Sequence, residues 1–258
     1  MPIVILVRHR FVTDSTDTRC TRMQIAVISD LHLGPGDPSD SFGHDDATFG
    51  RFLARLESDF ERIVLLGDIW ETLTSTRLYD PREGLRRAKA AHPLLAARFS
   101  SPQYEYVHGN HDWISREVEA TPSEVLIDAD GLRLVFTHGH HHDFLVRRAR
   151  WVSECSVWLG GWARRLGLRA LYRVGYELDA WLSKPKVGPT LDSFQRWAFG
   201  IARQRSANVV VTGHTHVPRI EQSQGRIFLN SGTCSEGNLT YLALDTRTQT
   251  FSVERGRT

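Results

Sequence analysis

The sequence predicts an α/β sandwich, and three observations lead to this fold class. Short apolar runs typical of strands buried on both faces alternate with helical patterns between residues 24 and 112. β-type runs dominate two later stretches, 124–137 and 208–254. Between these stretches, residues 144–206 show helical patterns only. Alternation of this kind is typical of sheets that are covered by helices.

The first half of the chain begins with a polar extension, residues 1–22, which lacks periodicity and is expected to be loosely attached. The predicted strands of this half are 24–29, 62–66 and 104–108, and its predicted helices are 46–58 and 81–99.

The second half begins with a predicted hairpin, 125–127 and 132–136, whose turn contains Asp130-Gly131. The later elements are helices at 144–166, 168–183 and 190–206 and strands at 208–212, 218–222, 226–229, 239–244 and 250–254. We therefore predict a core made of 23–143 and 207–258, with residues 144–206 inserted as a helical cap.

The composition argues against a nucleic-acid-binding, a disulfide-rich or a membrane-spanning protein. The net charge of +2 is too small to indicate nucleic-acid binding by itself. Three distant cysteines, Cys20, Cys155 and Cys234, indicate packing roles in a reducing compartment rather than a disulfide framework. No apolar run approaches the roughly 18 residues of a spanning helix. We therefore expect a cytoplasmic protein.

Polar residues follow five of the predicted strands at the points where these strands end. They are Asp30 and His32; Asp68; Asn110, His111 and Asp112; His138; and His214 and His216. Ligands of open α/β sheets gather beyond the carboxyl ends of the strands, so we expect these side chains to converge. Carboxylate, imidazole and amide oxygen without thiolate favour a first-row divalent metal such as Mn, Fe or Zn.

Each motif alone has a simpler structural explanation. Asp30-x-His32 is typical of a capped turn, Gly67-Asp68 of a loop, and a lone His138 of a hydrogen-bonded strand end. The ordered set is far more specific than its parts, because each part independently follows a predicted strand.

The ordered motifs resemble those of the calcineurin-like metallophosphoesterases. They are Asp30-x-His32, Gly67-Asp68, Gly109-Asn110-His111-Asp112, His138-Gly139 and Gly213-His214-Thr215-His216. The resemblance implies a four-layer αββα sandwich that holds two divalent metal ions, with Mn expected and Fe or Zn as alternatives. One ion would be bound by Asp30, His32 and His216. The other would be bound by Asn110, His138 and His214, with Asp68 bridging the two.

The chemistry implied by this resemblance is phosphate ester hydrolysis. Two dications and two ligating carboxylates leave a positively charged site, which attracts phosphate, and paired metals suit an in-line displacement. His111, which the family motif does not use as a ligand, would protonate the leaving oxygen, with Asp112 orienting its ring.

Further segments look like the UDP-2,3-diacylglucosamine hydrolase branch, which cleaves a pyrophosphate. They are Ser29-Asp30-Leu31-His32-Leu33, Gly67-Asp68-Ile69-Trp70-Glu71 and the helical insertion after His138. Because His111 stands where that branch usually has Arg, the substrate stays open. We expect a phosphodiester or pyrophosphate bond in a small nucleotide- or lipid-containing molecule. His140, Arg147 and Arg148 are candidate substrate contacts, although a solvated His-rich loop is the alternative for residues 140–142.

The insertion is basic and rich in tryptophan. Residues 144–205 contain 12 Lys and Arg against 4 Asp and Glu, so this segment carries +8 and the rest of the chain −6. Five of the seven tryptophans lie here: Trp151, Trp158, Trp162, Trp181 and Trp197. They are either the core of the cap or a surface for an acyl chain or the inner face of a membrane.

Two other functions are weighed against a metal-dependent phosphohydrolase for small substrates. A phosphoprotein phosphatase or nuclease needs an open groove, which a cap directly after His138 should restrict, so a nucleic-acid partner is not favoured. A non-catalytic scaffold that has lost its metals should lack ligands, whereas all seven are present. The sequence leaves the oligomeric state open.

Overall fold

The computed structural model describes residues 7–8, 23–143, 146, 148–168 and 191–256. Its strands are β1 (Val7–Arg8), β2 (Gln24–Ile28), β3 (Arg62–Leu66), β4 (Tyr104–Val107), β5 (Glu124–Ala129), β6 (Leu132–Thr137), β7 (Val209–Thr212), β8 (Arg219–Ser223), β9 (Arg226–Asn230), β10 (Thr240–Asp245) and β11 (Thr250–Arg255). Its helices are α1 (Asp46–Asp59), α2 (Pro81–Ala91), α3 (Pro93–Phe99), α4 (Ser115–Glu119), α5 (Arg150–Arg165) and α6 (Ser193–Gln204), and His140–His142 form a 3₁₀ turn.

Two mixed sheets form the centre of the molecule. The first sheet has the order β1-β11-β10-β2-β3-β4, in which β2, β3 and β4 are parallel. The second has the order β5-β6-β7-β9-β8, in which β6, β7 and β9 are parallel. Within each sheet the parallel strands therefore end at the same edge.

The two sheets face each other across an apolar core. Alternate residues of β2 and β3, such as Ile25, Val27 and Val64, pack here against Phe136 and Val211 of the second sheet. All five side chains have no exposed surface. The neighbouring residues Ala26, Ile28 and Ile63 point to the other face, because side chains alternate along a strand.

Helices cover the outer faces of both sheets, so the fold is a four-layer α/β sandwich. The apolar faces of α1, α2 and α3 pack on the first sheet. On the second sheet, Phe194, Ala198 and Ala202 of α6 pack against Val135 and Val210. The helix α6 begins with a capping box in which Asp192 and Gln195 each accept a backbone N–H.

The predicted helix 81–99 is wrong in its continuity, since the structure has two helices there. The chain leaves helical geometry at His92, and Pro93 begins α3. A proline at the first helical position lacks only an N–H that would be unpaired there, whereas within a helix it removes a hydrogen bond.

The predicted cap is only partly described. Its first predicted helix corresponds to α5, its second, 168–183, lies almost wholly outside the described residues, and its third corresponds to α6. The helix α6 packs on the second sheet. In the extension 1–22, β1 pairs with β11, and the remaining residues lie outside the described ranges.

Candidate active site

All seven predicted metal ligands lie beyond the carboxyl ends of parallel strands. The first sheet supplies four of them, Asp30, His32, Asp68 and Asn110, from the loops after β2, β3 and β4. The second sheet supplies His138, His214 and His216 from the loops after β6 and β7. The loops after β2 and β3 stay paired past the strands, since the Asp30 and His32 N–H groups donate to Gly67 and Asp68 carbonyls.

The side chains form two adjoining groups. Asp30, His32 and His216 offer ligand atoms within 4.8 Å of one another, and Asp68, His138 and His214 do the same. His138 joins the groups, because its Nε2 lies 3.2 Å from Asp68 Oδ2 and 4.0 Å from Asp30 Oδ1. His216 Nε2 is 3.1 Å from Asp30 Oδ1.

Two glycines allow this close approach of loops. A Cβ at Gly67, which has a φ of +84°, would lie 2.5 Å from the His138 ring. A Cβ at Gly109 would lie 2.1 Å from Asp68 Oδ1. A side chain at Gly67 would push apart loops of the two sheets, and one at Gly109 would push apart the loops after β3 and β4 of the first sheet. The geometry therefore requires both glycines.

Most of the ligand positions have strained backbones. Positive φ angles occur at Asp30 (53°), His32 (50°), Asp68 (52°), His214 (69°) and His216 (58°). Each such residue costs on the order of 1–3 kcal/mol, and strain of this kind is concentrated at functional sites. The backbone therefore points the side chains inward at the expense of local stability.

Several candidate ligand atoms are buried and make no hydrogen bond of normal geometry among the described residues, although two of them lie in the charged contacts given above. They are Asp30 Oδ1, His32 Nε2, Asn110 Oδ1 and His138 Nε2. Buried polar atoms are normally paired, and these four are an oxygen–nitrogen set suited to divalent metals. The arrangement fits a metal centre made by these residues.

Hydrogen bonds to the second ring nitrogen orient two of the histidines. His138 Nδ1 is 2.8 Å from the Leu66 carbonyl oxygen, and His32 Nδ1 is 3.4 Å from Glu71 Oε2. In each ring this directs Nε2 toward the cluster, which is the usual arrangement for metal-binding histidines.

The electrostatics of the cluster reflect its alternating charges. Burial opposes ionisation, but the Asp68 and Asp30 carboxylates outweigh it and raise the pKa of His138 to about 9. Burial would also raise the pKa of Asp68, yet the His138 and His111 charges hold that pKa well below its ordinary value. Burial and the His138 charge lower the pKa of His214 to about 4. A metal bound by His138 must displace its extra proton, whereas the lowered pKa of His214 favours the neutral ring that a metal binds.

This geometry agrees with a comparison of the chain with protein families. Residues 23–160 match the model of the calcineurin-like phosphoesterase superfamily domain. The chain belongs to this superfamily. It is a phosphoester hydrolase, and its superfamily generally uses divalent metal ions at side chains such as those clustered here.

Curated relatives of this phosphoesterase cover most of its length. The chain is 27% identical over 227 residues to UDP-2,3-diacylglucosamine hydrolase of Ralstonia nicotianae, covering 78% of this chain and 80% of the relative. It is 26% identical over 212 residues to the Escherichia coli protein of the same name. That match covers 78% of this chain and 85% of the relative.

Solved structures also match this phosphoesterase. Vps29 of Chaetomium thermophilum has a TM-score of 0.46 and 16% identity, covering 86% of this chain and 80% of that chain. A predicted phosphoesterase of Streptococcus pneumoniae has a TM-score of 0.40 and 14% identity. The match covers 93% of this chain and 100% of that chain.

His111 of the phosphoesterase is oriented by Glu71, a residue that the sequence analysis did not assign. Its Nδ1 lies 2.7 Å from Glu71 Oε2. Burial lowers the pKa of His111, but the charges of Glu71 and Asp68 outweigh burial and raise it to about 10. Glu71 lies three residues after Asp68, so a second carboxylate in that loop was the available signal.

Asp112, which was predicted to orient the His111 ring, makes its hydrogen bonds to other groups, and Glu71 contacts that ring instead. The Asp112 carboxylate is fully buried and accepts N–H groups of Ile69 (2.7 Å) and Gly109 (2.6 Å) and the Tyr106 hydroxyl (2.6 Å). It therefore holds together the two loops that follow β3 and β4, and acts on the site through the backbone.

A cavity of about 340 Å³ adjoins the metal-ligand cluster at Asn110. Its described lining includes His108, His140, Trp113, Arg116 and Arg150. His108 Nε2 and His140 Nδ1 are buried without hydrogen-bond partners among the described residues. Both residues line the cavity, and His108, at the end of the predicted strand 104–108, was not among the predicted substrate contacts.

The three predicted substrate contacts differ in their position relative to this cavity. His140 lines the cavity. Arg148 is exposed and is not part of the described lining, whereas Arg150, two residues further on, is. Arg147 lies outside the described residues. The Arg150 guanidinium carbon lies 3.5 Å from the centroid of the Trp113 ring, so α5 contacts the loop that carries His111.

Across the described part of the chain, every helix is too short or too polar to span a membrane.

Proposed function

We propose that this protein is a dinuclear metal-dependent phosphohydrolase that cleaves a phosphodiester or pyrophosphate bond of a small nucleotide- or lipid-containing molecule. The observation that carries the proposal is the pair of adjoining ligand groups with four unpartnered ligand atoms. A phosphoesterase that needed no metal would have no use for buried polar atoms without partners.

The proposed metal ligands are divided between two ions. Asp30, His32 and His216, which form one group, would hold one ion, and His138 and His214, which group with Asp68, would hold the other. Asn110 would join the second set, and Asp68 would contact both ions. Two divalent ions, with Mn proposed, would attract the phosphate and activate water for an in-line displacement.

The proposed role of His111 is to donate a proton to the leaving oxygen. The Glu71 carboxylate on Nδ1 favours the protonated ring and leaves Nε2 as the atom that faces a substrate. His108 and His140 in the adjoining cavity would bind the remainder of the substrate through ring nitrogens, and Arg116 and Arg150 would supply positive charge.

The nature of the substrate is inferred from the relatives and from α5. Two curated relatives are named UDP-2,3-diacylglucosamine hydrolase, which supports a substrate with a phosphate and an apolar part. Trp151 and Leu159 on α5 are 64% and 60% exposed, and they support contact with an acyl chain or with the inner face of a membrane.

The boundaries of the cap are also a proposal. The packing of α6 on the second sheet supports a cap that ends before Asp192. We propose residues 144–190 as the inserted cap, and 23–143 and 191–258 as the core.

A substrate screen tests the proposed reaction. Phosphomonoesters, cyclic nucleotides, nucleoside diphosphate sugars, lipid-linked pyrophosphates, a phosphopeptide and single-stranded DNA are incubated with the Mn-loaded protein. We expect turnover of a diester or pyrophosphate that is abolished by a chelator and restored by Mn. Preference for the phosphopeptide or DNA would replace the proposal by the phosphatase or nuclease alternative.

The proposed bridge predicts the behaviour of Asp68→Ala. This variant should lose activity and bind well under two ions per chain, because both ions lose a ligand and its negative charge. Metal content is measured by elemental analysis after gel filtration. Asp128→Ala, on an exposed hairpin, is the control. Two tightly held ions in the Asp68 variant would remove the bridge from the proposal.

A further inference from the structure

A second cavity, of about 190 Å³, lies between α6 and the turn that joins β8 to β9. Three arginines line it, Arg196, Arg203 and Arg226, together with the apolar side chains of Leu191 and Phe199. None of the described lining residues is acidic. The cavity therefore combines an apolar wall with three positive charges.

The arginines are held on ordered elements. Arg196, Phe199 and Arg203 are spaced three and four residues apart, which places them on one face of α6. That helix is fixed by its packing on the second sheet and by the ion pair of Arg219 with its capping residue Asp192, at 2.9 Å. Arg226 is the first residue of β9. The three charges are thus brought together by the fold.

Among the described residues, no carboxylate forms an ion pair with any of these three arginines, whereas neighbouring arginines are paired. Arg205 and Arg219 each pair with a carboxylate, Glu124 at 2.6 Å and Asp192 at 2.9 Å. By contrast, Arg196 donates to the Leu191 carbonyl oxygen at 3.0 Å. Arg226 Nε is buried and has no hydrogen-bond partner among the described residues. Like charges that line one cleft repel one another, and an anion between them removes that repulsion.

We propose that this cavity is a binding site for a phosphate-bearing anion. Guanidinium groups match phosphate oxygens in pairs, and three of them suit a group with more than one negative charge, such as a diphosphate or a phosphate monoester. Leu191 and Phe199 would contact an apolar part of the same ligand.

The occupant is different from the substrate at the metal ligands. His214 follows the carboxyl end of β7, whereas Arg226 lies at the amino end of the parallel strand β9. The two sites are therefore associated with opposite edges of the second sheet. This inference does not depend on the proposed reaction.

Hydrogen–deuterium exchange and calorimetry with methylenediphosphonate, a diphosphate that cannot be hydrolysed, test the site on the metal-loaded full chain. We expect protection of residues 223–227 and a binding event that Arg203→Gln and Arg226→Gln each weaken by about tenfold or more. Arg203 is exposed, so its variant should fold normally, and small diesters should be hydrolysed at the normal rate.

Arg247→Gln, at an exposed arginine in the turn between β10 and β11, is the matched control and should bind normally. Protection confined to the loops that carry the metal ligands would overturn the proposal. Equal binding by the two cavity variants and the control would also overturn it.

Sedimentation with vesicles identifies the source of the phosphate. Binding to phosphatidylglycerol vesicles but not to phosphatidylcholine vesicles, lost in Arg203→Gln, would assign the site to an anionic lipid headgroup. Binding of the diphosphonate without such vesicle binding would assign it to a soluble phosphate. A protein that responds to neither probe has no phosphate site here.

Discussion

Glu71 is a single buried carboxylate that contacts both a proposed metal ligand and a proposed proton donor. Its Oε2 lies 2.7 Å from His111 Nδ1 and 3.4 Å from His32 Nδ1. Burial opposes its ionisation, but the His111 and His32 rings outweigh burial and lower the pKa of Glu71 to about 2. The side chain is therefore ionised at neutral pH and links the proposed metal ligand His32 to the proposed acid His111.

This link predicts a graded loss of activity. Glu71→Gln keeps the shape of the side chain but removes its charge, so we expect kcat/KM to fall by about 10–100-fold. His111→Ala should cost about 10²–10⁴-fold with an alkyl ester, whose leaving group needs the proton. An activated aryl diester should suffer less from either change.

The comparison of leaving groups separates two roles for His111. Rates are measured for an alkyl and an aryl diester with the same metal. Equal losses on both esters would show that His111 binds phosphate rather than protonating the leaving oxygen.

We expect Asp112 to contribute to the free energy of unfolding. Asp112→Ala leaves the Ile69 and Gly109 N–H groups and the Tyr106 hydroxyl without their acceptor. We expect unfolding to be easier by about 3 kcal/mol or more, because each orphaned buried donor costs about 1–3 kcal/mol. Denaturant unfolding measures the change. Asp128→Ala, in a surface pair with Arg133, should change stability by about 1 kcal/mol or less, and similar losses in both variants would refute the role of Asp112.

Among the secondary-structure elements, the predicted strands lie close to the observed ones. The break within the predicted helix 81–99 and the surface covered by α6 could not be predicted without knowledge of packing. Buried strands can be recognised in a sequence as apolar runs that end in turn residues. The predicted strand 62–66 has the same bounds as β3. The periodicity of 81–99 did not reveal the break at His92. The helical pattern of 190–206 identified α6 but not the surface that it covers.

We expect His92, at the junction of α2 and α3, to make the stability of the helical layer depend on pH. Its Nδ1 lies 2.6 Å from Asp46 Oδ1, and its Nε2 lies 3.8 Å from Asp40 Oδ2. Burial lowers the pKa of His92, but the two carboxylates outweigh it and raise the pKa above its ordinary value of 6.5. The folded state therefore binds this proton more tightly than the unfolded state.

The sign of the effect follows from proton linkage. The stabilisation by His92 is complete below pH 6.5, the ordinary pKa, and is lost as the pH rises through the higher folded pKa. Subtracting the unfolding free energy of His92→Gln from that of the wild type between pH 5 and 9 isolates this contribution. A difference that does not change with pH would contradict the assignment.

For the whole molecule, the chemistry was more predictable than the specificity. Proposed ligands such as Asp30 and His138 could be predicted because each follows a strand, and parallel strands bring their carboxyl ends together. The Glu71–His111 contact, at 2.7 Å, and the cavity beside Asn110 depend on how loops from different strands pack. No periodicity in the sequence encodes that packing.

If the sandwich carries out the reaction and the cap selects the substrate, deleting the revised cap, residues 144–190, should affect only substrate selection. The chain can be rejoined because the two sides of the deletion are adjacent: His142 Nε2 lies 3.3 Å from Ser193 Oγ. A short Gly/Ser linker between Asp143 and Leu191 keeps α6 on the second sheet, whereas removing 144–206 would expose that face of the sheet.

The deletion variant should still bind metal and hydrolyse small diesters, since all seven proposed ligands lie on the sandwich. A large amphiphilic substrate should no longer be turned over, because contacts remote from the reacting bond support the reacting geometry as well as affinity. Arg150→Gln, which removes the guanidinium that lies 3.5 Å from the Trp113 ring, should reproduce part of this selective loss without a deletion. Steady-state rates on both substrate classes measure the effect, and full activity of the metal-loaded deletion variant on the large substrate would show that the tryptophans of the cap serve only its own packing.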